Sequence, residues 1–374
     1  MNIIYDYKYM KPIFLGTHKQ NNNDLSVNKY ATNIVLPYDQ TLDPIQISND
    51  LNVSEKIHNM RRASECHKQV RHILQDKIQP GMSYVDIANL VESNICSRFP
   101  NNDLKSGIGF PTGISVNNIA AHDGANVDDK RILKSDDVCK IDFGTHVGGY
   151  IIDSAFTIAF NPKYESLLEA AKDGMWTGIK MAGPDANVNE VSRAIQEAIE
   201  SYEIELDGKK YPIKSTSNLG GHTIDQYKIH AGKLVLGQPH KTNENTRMQS
   251  NECWAIEVFP TTGEDKMYTD DKLLCNHFML NSALGKIPKF NFKITGAVYT
   301  FIKNTRSTLP FSSRWLFDKF GKQYIVGLNE LIKKGIVATY PPLLGKEGTY
   351  NAQFEHTMYL HEYGKEIISN SDDY

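Results

Sequence analysis

CKIDFGTHVGGYIIDSAFT, residues 139–157, is the stretch of the 374-residue chain that says most about its fold. β-Branched and aromatic residues stand on both sides of a Gly-Gly pair, which is typical of a β-hairpin. A turn centred between Val147 and Gly148 would place Asp142 directly opposite Asp153 on one face, with Cβ atoms roughly 5 Å apart. Two carboxylates in this arrangement repel each other unless one is protonated or a cation lies between them.

Two surface aspartates beside a turn are the simpler interpretation of this hairpin. The flanking residues are nevertheless apolar enough to bury both strands: Ile141, Phe143, Ile151 and Ile152. A buried carboxylate pair needs a partner, and a divalent metal ion supplies one. We therefore predict that the hairpin carries two carboxylate ligands of a metal.

Three further candidate ligands stand elsewhere in the chain. Glu257 lies within the apolar run Ala-Ile-Glu-Val-Phe, and Glu355 lies in a strand-like segment, residues 352–360, where a Glu is rarely buried without a partner. His222 follows two glycines, although a lone His is more often a structural hydrogen-bonding group than a ligand. The five residues together supply four carboxylates and one imidazole, an oxygen-rich set that suits a two-metal hydrolytic site.

The periodicity of the chain indicates an internally duplicated α+β domain. Two helices are predicted from Ser54 to residue 79 and from Ser83 onward, and a second pair at residues 164–181 and 188–202. Each pair precedes strand-like segments. No HExxH, Walker A or GxSxG motif occurs, which disfavours zincin peptidases, P-loop proteins and serine hydrolases.

The predicted domain organisation has three parts. Residues 1–53 are partly Asn-rich and polar, and we expect a loosely ordered N-terminal extension. Residues 54–374 are expected to form the catalytic domain, and residues 277–340 a mostly helical insertion subdomain before a last strand, residues 352–360. The insertion holds ten basic and two acidic residues, a net charge of +8 that leaves −11 on the rest of a chain whose total is −3. A solvated helical surface or a face for ribosomal RNA would explain this charge.

Composition narrows the class of protein. A net charge of −3 argues against a uniformly basic nucleic-acid-binding coat. Five cysteines without a CxxC spacing disfavour a disulfide scaffold or a Cys-rich zinc site. The chain contains no apolar run of 18 residues, and its first residues lack a secretory h-region, so we expect a cytoplasmic protein that does not enter a membrane. We also expect a monomer.

The candidate ligands stand within segments that are similar to those of a known enzyme family. The chain resembles the type 2 methionine aminopeptidases from about residue 54 to residue 374. The segments that carry the resemblance are NNIAAHDG (117–124), CKIDFGTHVGGYIIDSAFT (139–157), NLGGHTIDQYKIHAG (218–232), AIEVFPTTG (255–263), TYPPL (339–343) and AQFEHT (352–357). The resemblance implies an α+β "pita-bread" fold with pseudo-twofold halves. It also implies removal of the initiator methionine from nascent polypeptides with a small second residue, by attack of a metal-bridging hydroxide.

The resemblance assigns the metal ligands one by one. Asp142, Asp153, His222, Glu257 and Glu355 would hold two divalent cations, which could be cobalt, manganese, iron or zinc. Among these ligands, Asp153 and Glu355 would bridge the two metals. Glu257 would in addition relay a proton to the leaving amine.

The resemblance also assigns the substrate contacts. His122 would hydrogen-bond the scissile peptide and be alkylated by fumagillin-type inhibitors, and His230 would contact the substrate carbonyl. The methionine pocket would be lined by Phe110, Ile229, His277 and Tyr340.

The chain departs from the family in two places. Gly220 stands where close relatives are expected to carry Asn, and the long charged N-terminal tract of animal members is missing. Two other functions stay open. A catalytically inactive pita-bread protein that binds RNA or the ribosome is disfavoured because all five ligands are present. A proline-directed peptidase usually carries an N-terminal domain that about fifty residues cannot supply.

Overall fold

The computed structural model describes residues 13–14, 34–38, 54–270, 272–285 and 287–374. The α-helices in this part of the chain are α1 Glu55–Lys77, α2 Tyr84–Arg98, α3 Glu165–Met181, α4 Val188–Glu200, α5 Lys293–Thr305, α6 Ser313–Phe320 and α7 Tyr324–Lys333. The strands are β1 Ile13–Phe14, β2 Ile34–Pro37, β3 Ser106–Val116, β4 Ile119–Ala121, β5 Val138–Val147, β6 Tyr150–Ala159, β7 Glu203–Leu206, β8 Lys209–Pro212, β9 Lys214–Ser215, β10 Gly220–Ile224, β11 Leu234–Leu236, β12 Cys253–Val258, β13 Pro260–Thr261, β14 Tyr268–Thr269, β15 His277–Leu280, β16 Phe311–Ser312, β17 Val337–Tyr340, β18 Leu343–Leu344, β19 Phe354–Leu360 and β20 Gly364–Ile367.

The predicted helix starts follow from their capping residues. Ser54 accepts a hydrogen bond from the backbone N–H of Ile57 at the start of α1. At the start of α2, the Ser83 hydroxyl accepts from the N–H of Asp86 at 3.0 Å and donates to its carboxylate at 2.7 Å. These contacts satisfy backbone donors that have no partner inside the helix. The second predicted pair corresponds to α3 and α4.

Two helix pairs pack against two antiparallel sheets. Helices α1 and α2 contact the three-stranded sheet β3-β5-β6, whereas α3 and α4 contact the larger sheet, in which β20, β19, β12, β10 and β11 are consecutive neighbours. One hydrophobic cluster joins both halves. The repeated helix-pair-and-sheet pattern agrees with the duplicated α+β architecture predicted from the periodicity.

The β5–β6 hairpin has a different register from the predicted one. Asp142 pairs with Ala155, and Asp153 pairs with Gly144, so the two aspartates are not directly opposite. The turn is the Gly-Gly pair itself, with φ of +61° and +80°, which are the positive angles that a two-residue type I′ turn requires. The turn centre therefore lies one residue later than predicted, and the register shifts by two. Because side chains alternate with a period of two, Asp142 and Asp153 remain diagonal neighbours on one face.

The ends of the chain differ most from the prediction. Residues 34–37 form β2, a buried strand that pairs with β20, so the expectation of loose order is wrong for them. The rest of the predicted extension, apart from β1 and Tyr38, lies outside the described residues. A strand also follows β19, so residues 352–360 are not the last strand.

The charges in β20 hid it from a pattern-based prediction. Lys365 and Glu366 are fully buried in this strand. The Lys365 ammonium donates to the Lys180 and Ala182 carbonyls at the end of α3, and Glu366 forms an ion pair with Arg61 at 2.9 Å. A sequence of two adjacent charged residues does not reveal such partners.

Residues 277–340 contain more than helices. The helices α5–α7 surround their own hydrophobic cluster, and the strands β16-β15-β17 form a small sheet beside it. In this sheet His277, at the start of β15, pairs with Ser312 and with Tyr340. That these residues form a subdomain within a catalytic domain spanning residues 54–374 stays a prediction.

No helix in the described part of the chain has the length and apolar character that crossing a bilayer requires.

Candidate metal centre and substrate pocket

The five candidate ligands come from strands of both sheets. Asp142 lies on β5 and Asp153 on β6, whereas the larger sheet supplies the other three. On that sheet Glu257 of β12 is directly opposite Glu355 of β19, and His222 of β10 pairs with the residue two positions before Glu257. The side chains of these three residues therefore share one face.

A short hydrogen-bonded link brings the two groups of ligands together. The Thr357 hydroxyl of β19 accepts from the backbone N–H of Asp153 at 2.9 Å and donates to its carbonyl at 2.5 Å. The Ser154 hydroxyl donates to the Glu355 carbonyl at 2.7 Å. These contacts place β6 against β19, so carboxylates from both sheets converge.

The ligand atoms lie within coordination reach of one another. Single ligand atoms of Asp153, His222 and Glu355 all lie within 4.8 Å of one another. The His222 Nε2 atom is 3.4 Å from Asp153 Oδ2 and 3.8 Å from Glu257 Oε1. The Nδ1–H group of His222 donates a hydrogen bond to the Thr223 carbonyl, at a distance of 3.3 Å. The Nε2 lone pair of His222 is thus directed at the carboxylates, as in a metal-ligating imidazole.

Gln353 is a contributor that the sequence reasoning did not assign. Its amide Nε2 donates to Asp142 Oδ2 at 3.2 Å and to Glu257 Oε2 at 3.1 Å, joining carboxylates from the two sheets. The sequence does contain an indication of this role. Gln353 stands two residues before Glu355, and residues two apart in an extended segment lie on the same face.

The four carboxylates of the cluster destabilise one another when they are ionised, and a positive charge between them would relieve this repulsion. Burial raises the pKa of Asp153 from 3.8 to about 7. Burial and repulsion from neighbouring carboxylates raise the pKa values of Asp142, Glu257 and Glu355 well above their usual range. Both carboxylate oxygens of Glu355 and Oδ1 of Asp142 have no hydrogen-bond partner among the described residues. Buried oxygens of this kind are satisfied by a divalent cation, so the donor set fits a metal.

The ligands open onto a pocket that contains every predicted substrate contact. It is lined by Phe110, Gly113, Ala121, His122, Asp142, Asp153, Leu219, His222, Ile229, His230, Glu257, Phe259, His277, Pro310 and Tyr340. Glu355 is fully buried behind this surface rather than in it. Leu219 and Phe259 were missed although they stand inside the segments 218–232 and 255–263. Pro310 carried no signal, because nothing in the sequence relates it to the other lining residues.

Neutral imidazoles lie beside the cluster of candidate ligands where it faces the pocket. The rings of His222 and His230 meet edge to face at 4.4 Å, and the Tyr340 ring lies 6.0 Å from His122 and 6.2 Å from His230. Burial, reinforced by neighbouring histidines, lowers the pKa of His122 to about 4 and that of His230 to about 3. Each ring is therefore uncharged near neutral pH and offers one N–H donor and one acceptor.

His122 has a strained backbone that a hydrogen-bonded network supports. Its φ of +65° lies in the left-handed region, which is unusual for a residue other than Gly. The following Asp123 accepts from the N–H of Gly124 at 2.8 Å and from Arg131 Nη1 at 2.5 Å, while Arg131 Nη2 donates to the Gly124 carbonyl at 2.7 Å. These bonds hold the residues directly after His122 and so fix its direction into the pocket.

Comparison with known proteins agrees with this geometry. Residues 58–298 match the model of metallopeptidase family M24. Methionine aminopeptidase 2 of Clavispora lusitaniae is 44% identical over 321 residues, which cover 84% of this chain and 72% of the relative. Methionine aminopeptidase 2 of Schizosaccharomyces pombe is 43% identical over 336 residues (90% and 78%), and methionine aminopeptidase 2A of Arabidopsis thaliana is 44% identical over 318 residues (85% and 71%).

Solved structures show the same fold at low sequence identity. A thermophilic Arx1 superposes with a TM-score of 0.73 over 86% of this chain and 92% of its own, at 14% identity. The methionine aminopeptidase from Thermotoga maritima gives 0.57 over 86% and 99%, at 16% identity. The predicted pita-bread fold is confirmed. Together with relatives that are 43–44% identical over more than four-fifths of the chain, the family match shows that the chain belongs to the type 2 methionine aminopeptidases of metallopeptidase family M24.

Proposed function

We propose that the cluster of Asp142, Asp153, His222, Glu257 and Glu355 holds the divalent cations with which this methionyl aminopeptidase removes the initiator methionine. The observation that supports this most is a cluster of four carboxylates beside a largely apolar pocket, in which Asp153 and Glu355 are buried and three oxygens, of Asp142 and Glu355, have no hydrogen-bond partner among the described residues. Four carboxylates balance two divalent cations, so we propose two per chain. Cobalt, manganese, iron and zinc all accept oxygen-rich ligation with one imidazole.

The protein residues have separable roles in peptide hydrolysis. Bound divalent cations would supply Lewis-acid polarisation of the scissile carbonyl and a water acidic enough to act as nucleophile. Glu257, whose pKa is raised by burial and neighbouring carboxylates, accepts the proton of the attacking water and returns it to the leaving amine. The neutral ring of His230 donates to the substrate carbonyl oxygen, and that of His122 accepts from the N–H of the scissile peptide and stabilises the departing nitrogen.

The pocket explains selection of a methionine side chain. Its apolar lining includes Phe110, Ile229 and Tyr340, with His277 beside them. The His277 Nε2 lies 3.1 Å from the Pro111 carbonyl, to which it donates, so this imidazole faces the pocket with its polar atoms engaged. An unbranched thioether fits such a slot, and discrimination is moderate because the contacts are apolar.

Peptide turnover tests the proposed function. The chain should release methionine from Met-Ala-Ser, lose this activity with a chelator and regain it with one of the four metals. N-acetylated Met-Ala-Ser is the matched control and should stay intact, because its amine is blocked. Metal analysis of protein purified without added metal identifies the cation. Fumagillin should stop turnover and add its mass to the peptide that contains His122.

Two results would favour the other candidate functions. Release of residues from Xaa-Pro peptides, without release from Met-Ala-Ser, would indicate a proline-directed peptidase. Failure to cleave any peptide with any of the four metals, together with tight RNA binding, would indicate a catalytically inactive binding protein.

We also propose that the enzyme works as a cytoplasmic monomer on nascent chains at the ribosome. All five cysteines are free, which suits a reducing compartment.

Not all basic residues of the insertion, residues 277–340, contribute positive charge to its surface. Arg306 is buried, Arg314 pairs with Glu92 at 3.0 Å, and Lys334 lies 3.6 Å from Glu330. Among the described residues of the insertion, the exposed lysines are Lys289, Lys293, Lys303, Lys319, Lys322 and Lys333.

Charge reversal of this surface tests the ribosome contact. Lys322→Glu with Lys333→Glu should weaken salt-sensitive ribosome binding at least about threefold, since each lost contact reduces counterion release, and should leave Met-Ala-Ser turnover unchanged. Co-sedimentation at several salt concentrations measures the binding. The control is reversal of Lys209 and Lys214, which are exposed on β8 and β9. Equal ribosome binding by both double variants would contradict the proposed contact.

A further inference from the structure

The insertion is attached to the pocket wall at an irregular stretch of β3. This strand lies at the edge of the β3-β5-β6 sheet, and its pairing with β5 shifts twice, between Ile108 and Phe110 and between Phe110 and Gly113. Bulges of this kind take residues out of the ladder and redirect the side chains beside them. Phe110, which lies between the two shifts, lines the pocket.

Two side chains of the insertion bind the carbonyls on either side of Phe110. Arg306 Nη2 donates to the Ile108 carbonyl at 2.7 Å and to the Gly109 carbonyl at 3.2 Å. His277 Nε2 donates to the Pro111 carbonyl at 3.1 Å. The bulged segment is therefore held from the side of the insertion.

The same guanidinium also holds Pro310, a second residue that lines the pocket. Arg306 Nη2 and Nε donate to the Pro310 carbonyl at 3.2 and 3.3 Å, and Pro310 lines the pocket. One planar group thus joins the backbone before Phe110 to that of Pro310. A guanidinium suits this task because its donors have a fixed fork geometry that an ammonium lacks.

The surroundings of Arg306 indicate more than a general packing role. The residue is only 4% exposed, and its cation faces the Trp315 ring at 5.1 Å. No carboxylate of the described residues lies within ion-pair distance of it; Glu92 pairs with Arg314 instead. Burial lowers the Arg306 pKa to about 10, so the group remains charged near neutral pH. A buried charge bound only by carbonyls and an aromatic ring is costly to keep.

The Phe110 ring cannot retreat from the pocket on its other side. It packs directly on the backbone of Gly144, where a Cβ atom would lie 2.3 Å from the ring. With this side closed, the width of the slot depends on the position of the Pro310 wall relative to Phe110.

We propose that Arg306 is a specificity-determining positioning residue, which sets the distance between Phe110 and Pro310 and so the width of the methionine slot. This inference rests on the proposed function of the pocket. A fixed narrow slot accepts the unbranched side chain of Met and disfavours the wider, branched side chain of Leu. Loosening the wall should therefore change selectivity more than it changes the chemical step.

The test is the ratio of kcat/KM for Met-Ala-Ser to that for Leu-Ala-Ser, measured on the metal-loaded full chain. For Arg306→Met we expect this ratio to fall about tenfold, with KM for Met-Ala-Ser raised about tenfold and kcat changed less than about threefold. Arg306→Lys should give an intermediate ratio, because an ammonium can reach some of the carbonyls without matching all of them. Thermal melting reports whether each variant folds.

Arg314→Met is the matched control, since it removes an ion pair of the same insertion that does not contact the pocket. It should lower the melting temperature and keep the Met-to-Leu ratio. A wild-type ratio in folded Arg306→Met and Arg306→Lys would overturn the inference, and Arg306→Lys alone decides if the Met variant does not fold. A wild-type chain that releases neither residue would instead contradict the proposed function.

Discussion

Glu257→Ala is expected to lower kcat/KM for Met-Ala-Ser by at least about 10³-fold, because it removes a metal ligand and the proton relay together. The carboxylate of Glu257 faces His222 Nε2 at 3.8 Å and accepts from Gln353 at 3.1 Å, so no neighbouring side chain can replace both functions. Metal analysis of the purified variant should show fewer bound cations per chain than in the wild type. Steady-state kinetics with added metal then separates weak metal binding from the missing proton relay.

Glu252→Ala is the control for that variant. Glu252 stands just before the same strand β12, but its carboxylate accepts from Gln249 and Trp254 and pairs with Lys233, away from the pocket. Turnover should stay within about twofold of the wild type, as for a surface position outside the site. Wild-type activity of Glu257→Ala with its metals bound would reject the assignment of Glu257.

The candidate ligands could be identified from the sequence because these polar residues stand in apolar surroundings. Glu257 and Glu355 interrupt apolar strands, and such residues are rarely buried without a partner. The predicted placement of Asp142 and Asp153 on one face is correct despite an error in register. The true register of β5 and β6 differs from the predicted one by two, which keeps Asp142 and Asp153 on one face, whereas an error of one residue would have separated them.

The remaining parts of the site depend on contacts that no local pattern encodes. Arg306 reaches Ile108 across 198 residues of sequence, and its role needs the bulges of β3 that only the folded strand shows. Strand β20 was hidden because Lys365 and Glu366 are satisfied by distant groups. Local periodicity can identify apolar faces, but it cannot identify a buried charge whose partner is far away in the sequence.

Asp153→Asn is expected to stabilise the metal-free protein at high pH while it removes activity. Burial raises the pKa of Asp153 from 3.8 to about 7, so the folded state holds this proton more tightly than the unfolded state does. The free energy of unfolding therefore falls as pH rises from about 4 to about 7, and it stays low above that range. At pH 8 the metal-free variant should be more stable than the metal-free wild type by about 2–4 kcal/mol.

Denaturant unfolding in the presence of a chelator at pH 4, 6 and 8 measures this difference. The gap should be small at pH 4 and should grow with pH. Buried histidines outside the cluster, such as His146, have lowered pKa values and act in the opposite direction, but they are present in both proteins and cancel in the comparison. Asp207→Asn, at an exposed turn between β7 and β8, is the control and should change stability by less than about 0.5 kcal/mol.

Adding the divalent cation should reverse the order of stability, so that the wild type becomes more stable than Asp153→Asn. The wild type gains binding energy from the same carboxylates whose repulsion destabilised it without metal, whereas Asp153→Asn has lost a ligand that lies within 4.8 Å of His222 and Glu355 donor atoms. Metal affinity of the wild type should also rise with pH through about 7, since a protonated Asp153 is a poor ligand. A metal-free wild type as stable as Asp153→Asn at pH 8 would contradict this account. The repulsion would then be relieved by some group other than a cation, and the unpartnered oxygens of Glu355 would need a different explanation.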